Sequence, residues 1–205
     1  IDLDFKIAVW SSLAISAEDP NISIPLLKEV STMLEKTEST LKDRIDNQAE
    51  LANQYHRAGD IDTALTLFES VLEQMDDDDE LMSSFRSHRY NLGQLYITVE
   101  RQDDAWPLLL DVLEECKTIL GPTHPRTLFV ISELAYLHLN CDEPESALKL
   151  LSKGWSTACQ ALNFGHPDVL SLGLFWLNTH INSNIEEEIC EPPQEWIKAY
   201  DQWLN

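Results

Sequence analysis

The sequence predicts an all-α chain of stacked antiparallel helix pairs, and three observations carry that prediction. First, a unit of about forty residues is written three times, with a fourth copy fading towards the end. The copies read Leu51-Ala52-x-x-Tyr55 then Ala64-Leu65-x-x-Phe68, Leu92-Gly93-x-x-Tyr96 then Ala105-x-x-x-Leu109, and Leu134-Ala135-x-x-His138 then Ala147-Leu148-x-x-Leu151. Their leading leucines fall 41 and 42 residues apart, as do the three alanines. Second, each copy holds two apolar patterns of helical period separated by a short polar break. Third, a period of this size marks an array of units, each too small to cover its own apolar face.

The elements follow in order. A first helix is predicted over 41–57, stopped by Gly59, which can take the left-handed conformation that ends helices. Asp60 then caps a helix whose buried stripe is Ala64, Leu67, Phe68, Val71 and Leu72. The second pair is predicted at 84–99 and 103–118, with Pro107 tolerated in a first turn where its N–H has no intrahelical partner. The third pair is predicted at 125–140 and 143–161, with Asp142 and Glu145 at capping-box spacing around Pro144. The small residues Ala52, Gly93 and Ala135 and the alanines Ala64, Ala105 and Ala147 let helix backbones approach closely. Tyr55 and Tyr96 fill the space beside that contact, and His138 and His180 replace them in copies three and four. Leu120-Gly121-Pro122-Thr123-His124-Pro125 recurs 42 residues on as Leu162-Asn163-Phe164-Gly165-His166-Pro167, so His124 and His166 are turn residues near an N-cap.

The ends differ from the middle. Residues 1–40 hold two apolar segments that make a degenerate leading helix pair, and 41–182 form the array. Residues 183–205 offer Trp196, Tyr200 and Trp203 on one helical face and are expected to cap it, the alternative being a docking helix for another domain. The chain opens at Ile1 rather than Met, which points to a longer parent.

Composition narrows the function. Fourteen Lys and Arg face 36 Asp and Glu among 205 residues, a formal charge of −22. Such a field repels phosphate backbones and anionic lipid, so nucleic acid and membrane are not the expected partners. Basic or aromatic-bearing protein segments are. No apolar run approaches the roughly 18 residues that span a bilayer, and no leader opens the chain. Four scattered cysteines without C-x-x-C spacing point to reduced thiols and a cytoplasmic setting. There is no H-E-x-x-H, phosphate loop or nucleophile elbow, and only six glycines, so no enzyme and no cofactor is expected. The run Asp76–Glu80 lacks the alternation and glycine of a calcium loop and is expected to be a solvated linker. Glu114-Glu115 and 186–188 are expected on solvated faces.

These residues resemble tetratricopeptide repeats, specifically the 42-residue kind of kinesin light chains. The junction Leu120-Gly121-Pro122-x-His124-Pro125-x-Thr127-Leu128 and the opening Ala105-x-Pro107-Leu108-Leu109 carry the likeness, which covers about 41–182. The resemblance implies a right-handed α-solenoid whose first helices line a peptide-binding groove. From that register, groove residues lie two, five and six places after each anchor (Leu51, Leu92, Leu134, Trp176) and two and five before it. Copy one gives Asn53 and Arg57; copy two gives Tyr90 and Gln94, with Asn91 at the border. Copy three gives Phe129, Tyr136 and Asn140, with Glu133 at the border, and copy four gives Asn178. The same register places Ala49, Ile97, Leu174 and Ile181 on this face. Amide side chains can grip a peptide backbone through donor and acceptor, and Tyr90, Phe129 and Tyr136 could be the anchors that dominate binding. Chaperone-tail-binding repeats share Asn53 and Asn91, but Ala49, Phe129 and Glu133 stand where their cations would be. The function so implied is an adaptor or scaffold module. The alternative is a sensor array of a larger signalling ATPase, packed against its own chain.

Overall fold

The computed structural model describes residues 2–75, 86–162 and 165–183. All regular structure among them is helical, and the chain divides into two compact units, Ile1–Val99 and Glu100–Asn205. The first unit holds α1 (Leu3–Ser16), α2 (Pro20–Leu34), α3 (Leu41–Arg57), α4 (Ile61–Met75) and α5 (Arg86–Thr98), each packed on the next. The second holds α6 (Gln102–Ile119), α7 (Pro125–Asn140), α8 (Pro144–Ala161) and α9 (Pro167–Ser183). There α7 packs on α6, α8 and α9, and α8 packs on α9. The leading segment 1–40 thus contributes a helical hairpin, α1 on α2. The acidic run 76–80 and the segment 184–205, with Trp196, Tyr200 and Trp203, lie outside the described residues.

Helix starts are set by side chains that accept orphan N–H groups. Thr40 and Asp43 cap α3 reciprocally: the Asp43 N–H donates to Thr40 Oγ1 at 3.1 Å and the Thr40 N–H to Asp43 Oδ2 at 2.9 Å. The Thr40 hydroxyl also donates to Asp43 Oδ2 at 2.7 Å, and this bond, with the one from the Thr40 N–H, holds the Asp43 carboxyl below its usual value. Asp60 accepts from the Thr63 N–H at 3.2 Å, as its position predicts. His124 and His166 each accept on Nδ1 from the N–H two residues on, at 3.2 and 3.3 Å, which makes them caps. Thr127 reinforces the first junction by donating to the Gly121 carbonyl at 2.7 Å.

Two local expectations need correction. Asp142 and Glu145 form no capping box. Asp142 takes φ +61°, Glu143 is the N-cap of α8, and that cap makes no side-chain hydrogen bond. Asp142 ends α7 instead of starting α8. Pro107, for its part, is the sixth residue of α6 and lies past the first turn, because the helix starts at Gln102. It is exposed, so the Asp103 carbonyl it cannot serve can be met by water.

The left-handed turn recurs at the repeat period. Gly59, Glu100 and Asp142 have φ of 81°, 60° and 61°, at the same spacings of 41 and 42 as the anchoring leucines. At the first and third, the next residue's N–H reaches back five places, Asp60 to the Tyr55 carbonyl at 3.0 Å and Glu143 to the His138 carbonyl at 2.9 Å. This is the closing bond of a Schellman turn. A Cβ on Gly59 would meet nothing within 4 Å, so its only cost is the left-handed backbone. Gly59→Ala should therefore lose about 1 kcal/mol in urea unfolding, while Glu100→Gly should be neutral or stabilising by up to ~1 kcal/mol.

The anchors Leu51, Leu92, Leu134 and Trp176 are all buried, as are Ala52, Gly93, Ala135, Ala64, Ala105 and Ala147. In α4 the buried stripe is Ala64, Phe68, Val71 and Met75, with Leu67 and Leu72 half-buried. In the second unit two glycines make close contact possible. A Cβ on Gly154 of α8 would lie 3.1 Å from Ile131 of α7 and 3.3 Å from Leu172 of α9, and one on Gly173 of α9 would lie 2.9 Å from the Trp155 ring.

Candidate partner-binding faces

In the first unit the candidates come from α3 and α5. Asn91 Nδ2 donates to Asn53 Oδ1 at 2.8 Å, joining the two helices, and Asn53 Nδ2 donates to Glu50 at 3.3 Å. Tyr90 and Gln94 are half-buried on α5. Arg57 is exposed at the end of α3, but its guanidinium is held by the Glu18 carbonyl at 2.7 Å and by Gln54 at 3.3 Å. It ties the α1–α2 turn to α3. Ala49 and Ile97, expected on the same face, are buried. Ala49 belongs to the buried stripe Ile45, Ala49, Ala52 at helical spacing, and α5 buries a band wide enough to include Ile97 with Gly93 and Tyr96. Tyr96 reaches Glu69 of α4 through its hydroxyl at 3.1 Å.

His88 also lies between α5 and α3, its Nε2 3.9 Å from Asp46. Burial pushes the imidazole below its ordinary value near 6.5; Asp46 and Glu50 pull it back up, and Lys42 opposes them. With the folded value depressed, the unfolded chain takes up the proton first as pH falls. Stability is then complete above about 6.5 and declines below it, so the urea midpoint should fall between pH 7 and 5. His88→Gln should flatten that part of the profile. The contribution of Asp43 is lost only under stronger acid, below 3.8.

In the second unit α7 and α9 are neighbours, and the register brings their candidates to the solvent face. Phe129 is 53% and Tyr136 50% exposed on α7, and Leu174 is 62% and Ile181 65% exposed on α9. Asn140 and Asn178 are exposed beside them, with Asn178 Oδ1 accepting from Asn182 at 3.0 Å. Glu133 is half-buried. Each of these two adjacent helices thus presents two large apolar side chains and an amide to solvent.

The histidines at the tyrosine places are packing groups. His138 meets the Trp106 ring edge-on at 4.5 Å and pairs with Glu143 at 2.8 Å, and His180 lies tilted on Trp176 at 5.1 Å. Among the described residues no group of His, Cys, Asp and Glu could hold a metal, and no helix is long and apolar enough to cross a membrane. Arg89, 2% exposed on α5, carries a buried charge that spacing does not reveal, since α5 is not sharply amphipathic.

Comparison with known proteins agrees with this architecture. Residues 86–126 match the tetratricopeptide repeat family model. The solved structures similar to this chain include the nearly identical TPR-like repeats of a Podosopora anserina kinesin light chain. That likeness has 22% identity and a TM-score of 0.74, covering 89% of this chain and 86% of that one. BtubC (BKLC) from P. vanneervenii is similar at 18% identity and a TM-score of 0.71, covering 85% of this chain and 70% of that one. MamA AMB-1 follows at 19% and 0.55, covering 88% and 98%. No curated protein matches the sequence. The fold is the all-α tetratricopeptide-repeat fold, with kinesin-light-chain-like repeats among its structural neighbours, and repeats of this kind are in general non-catalytic modules for protein–protein interaction.

Proposed function

We propose that this tetratricopeptide-type array is an adaptor or scaffold that holds a segment of a partner protein against the solvent face of α7 and α9. The observation that carries the reading is the exposure of Phe129, Tyr136, Leu174 and Ile181 on two neighbouring first helices. Water-exposed side chains of this size on one face are what an interface core is made from. Asn140 and Asn178 beside them supply donors and acceptors for a peptide backbone. The charge of −22 selects against acidic partners and favours a basic or aromatic-bearing segment. Among the described residues no disulfide holds Cys116, Cys141 or Cys159, which supports a cytoplasmic place of work.

Because anchors of this kind cost about 2 kcal/mol when truncated at the centre of an interface, Phe129→Ala and Tyr136→Ala should each weaken binding by roughly 30-fold. The test is a pull-down with the chain, read by mass spectrometry, comparing wild type with the double variant. Proteins held by the wild type and lost from the double variant support the reading. An identical captured set overturns it.

A further inference from the structure

The first unit carries a second surface of different chemistry. Between α1 and α3, above α2, lies a cleft of about 500 Å³, a volume within the range of ligand sites. Its floor is apolar: Leu27, Val30 and Leu34 of α2, flanked by Ile7 and Ile15 of α1. Its rim is acidic. Asp4, Glu38, Asp43, Asp46 and Glu50 all line it, and among the described residues no lysine or arginine does. Asp43 is engaged with Thr40, Asp46 with Lys42 at 2.9 Å, and Glu50 with Asn53 and Gln54. The carboxylates of Asp4 and Glu38 make no hydrogen bond or ion pair with the described residues and stand ready for an incoming cation.

One of the residues lining the cleft carries an unmet acceptor. Asn47, which lines it, is only 8% exposed; its Nδ2 donates to the Leu27 carbonyl at 3.2 Å, while its Oδ1 has no hydrogen-bond partner. An acceptor buried without a donor is costly.

We infer that this cleft is a docking site for a basic amphipathic helix of a partner protein, with aliphatic side chains on the Leu27–Val30–Leu34 floor and Lys or Arg against Asp4 and Glu38. The lining residues of α1 run from Asp4 to Ile15, about three helical turns or roughly 17 Å, which sets the length of the occupant. An apolar trough with charged rims is the geometry that receives a helix by its apolar face, and complementary charge fixes the sign of the rims. The inference rests on the reading of the chain as a protein-binding array but uses a different surface and a different occupant.

The probe is a synthetic 14-residue helix of leucine and lysine, with leucines at i, i+3, i+4 and i+7, titrated into the full chain beside a scrambled peptide of equal composition. The amphipathic peptide should bind at least tenfold more tightly than the scrambled one. Asp4→Lys with Glu38→Lys should weaken it at least tenfold, and so should Ala8→Trp, which fills the cleft without changing charge; helicity by circular dichroism checks the fold of each. The rim variant alters only exposed groups, so it remains decisive should Ala8→Trp lose helix. Tyr136→Ala, in the other unit, should leave this affinity unchanged, so this inference can fail while the α7–α9 reading stands, and the reverse. Equal binding of both peptides, indifference to both cleft variants, or equal displacement by spermine would reduce the effect to diffuse attraction to an acidic chain and overturn the inference.

Discussion

Replacing Trp155 by alanine should destabilise the chain by about 3–5 kcal/mol, the range for deleting a fully buried aromatic side chain. Trp155 is completely buried on α8 and stacks on Trp176 of α9 with ring centroids 5.9 Å apart. Both the transfer of its surface and the void it leaves count against the variant, because Gly173 above the ring has no side chain to collapse into the gap. Urea unfolding followed by circular dichroism measures this. A loss below about 1 kcal/mol would mean that α8 and α9 close up freely, contrary to the packing described.

Gly173→Ala should also destabilise, by about 1–2 kcal/mol. In an ordinary helix interior this exchange stabilises by roughly 1 kcal/mol. Here the added Cβ would lie 2.9 Å from Trp155 Cε2, 3.0 Å from Cζ2 and 3.1 Å from Nε1. The ring is buried and stacked, so the helices must part or the indole must turn, and overpacking of this kind typically costs 1–3 kcal/mol. The diagnostic is a double-mutant cycle: in a Trp155→Leu background, Gly173→Ala should become neutral or stabilising. The same sign in both backgrounds would separate the glycine from the ring.

The period, and with it the hairpins, could be read from the sequence because anchors and alanines recur at fixed spacing, and each of them is buried. Helices α3 and α7 have the predicted limits, since Gly59 and His124-Pro125 are strong stop and start signals. Where the same backbone turn is made by Glu100 or Asp142, no glycine marks it, and an acidic residue just before Pro144 reads as a helix start although Asp142 ends α7. For the candidate faces, spacing gives the direction a residue points and not how wide the buried stripe is. Phe129, Tyr136, Leu174 and Ile181 therefore lie open as expected, while Ala49 and Ile97 do not. Arg57 makes a contact that spacing cannot show: it donates to the Glu18 carbonyl, 39 residues away and brought near only by folding. Gly154 and Gly173 stand outside the repeated motif, so nothing marked them as contact points.

The bond between Asn91 and Asn53 has a polarity of its own. Protons point one way along it, from Asn91 to Asn53 and from Asn53 to the Glu50 carboxylate. Hydrogen bonds aligned head to tail strengthen one another, and the carboxylate anchors the inner end. Asn91 keeps a second N–H and its own Oδ1 beyond this bond, so the end of this short wire has both a donor and an acceptor for a peptide backbone.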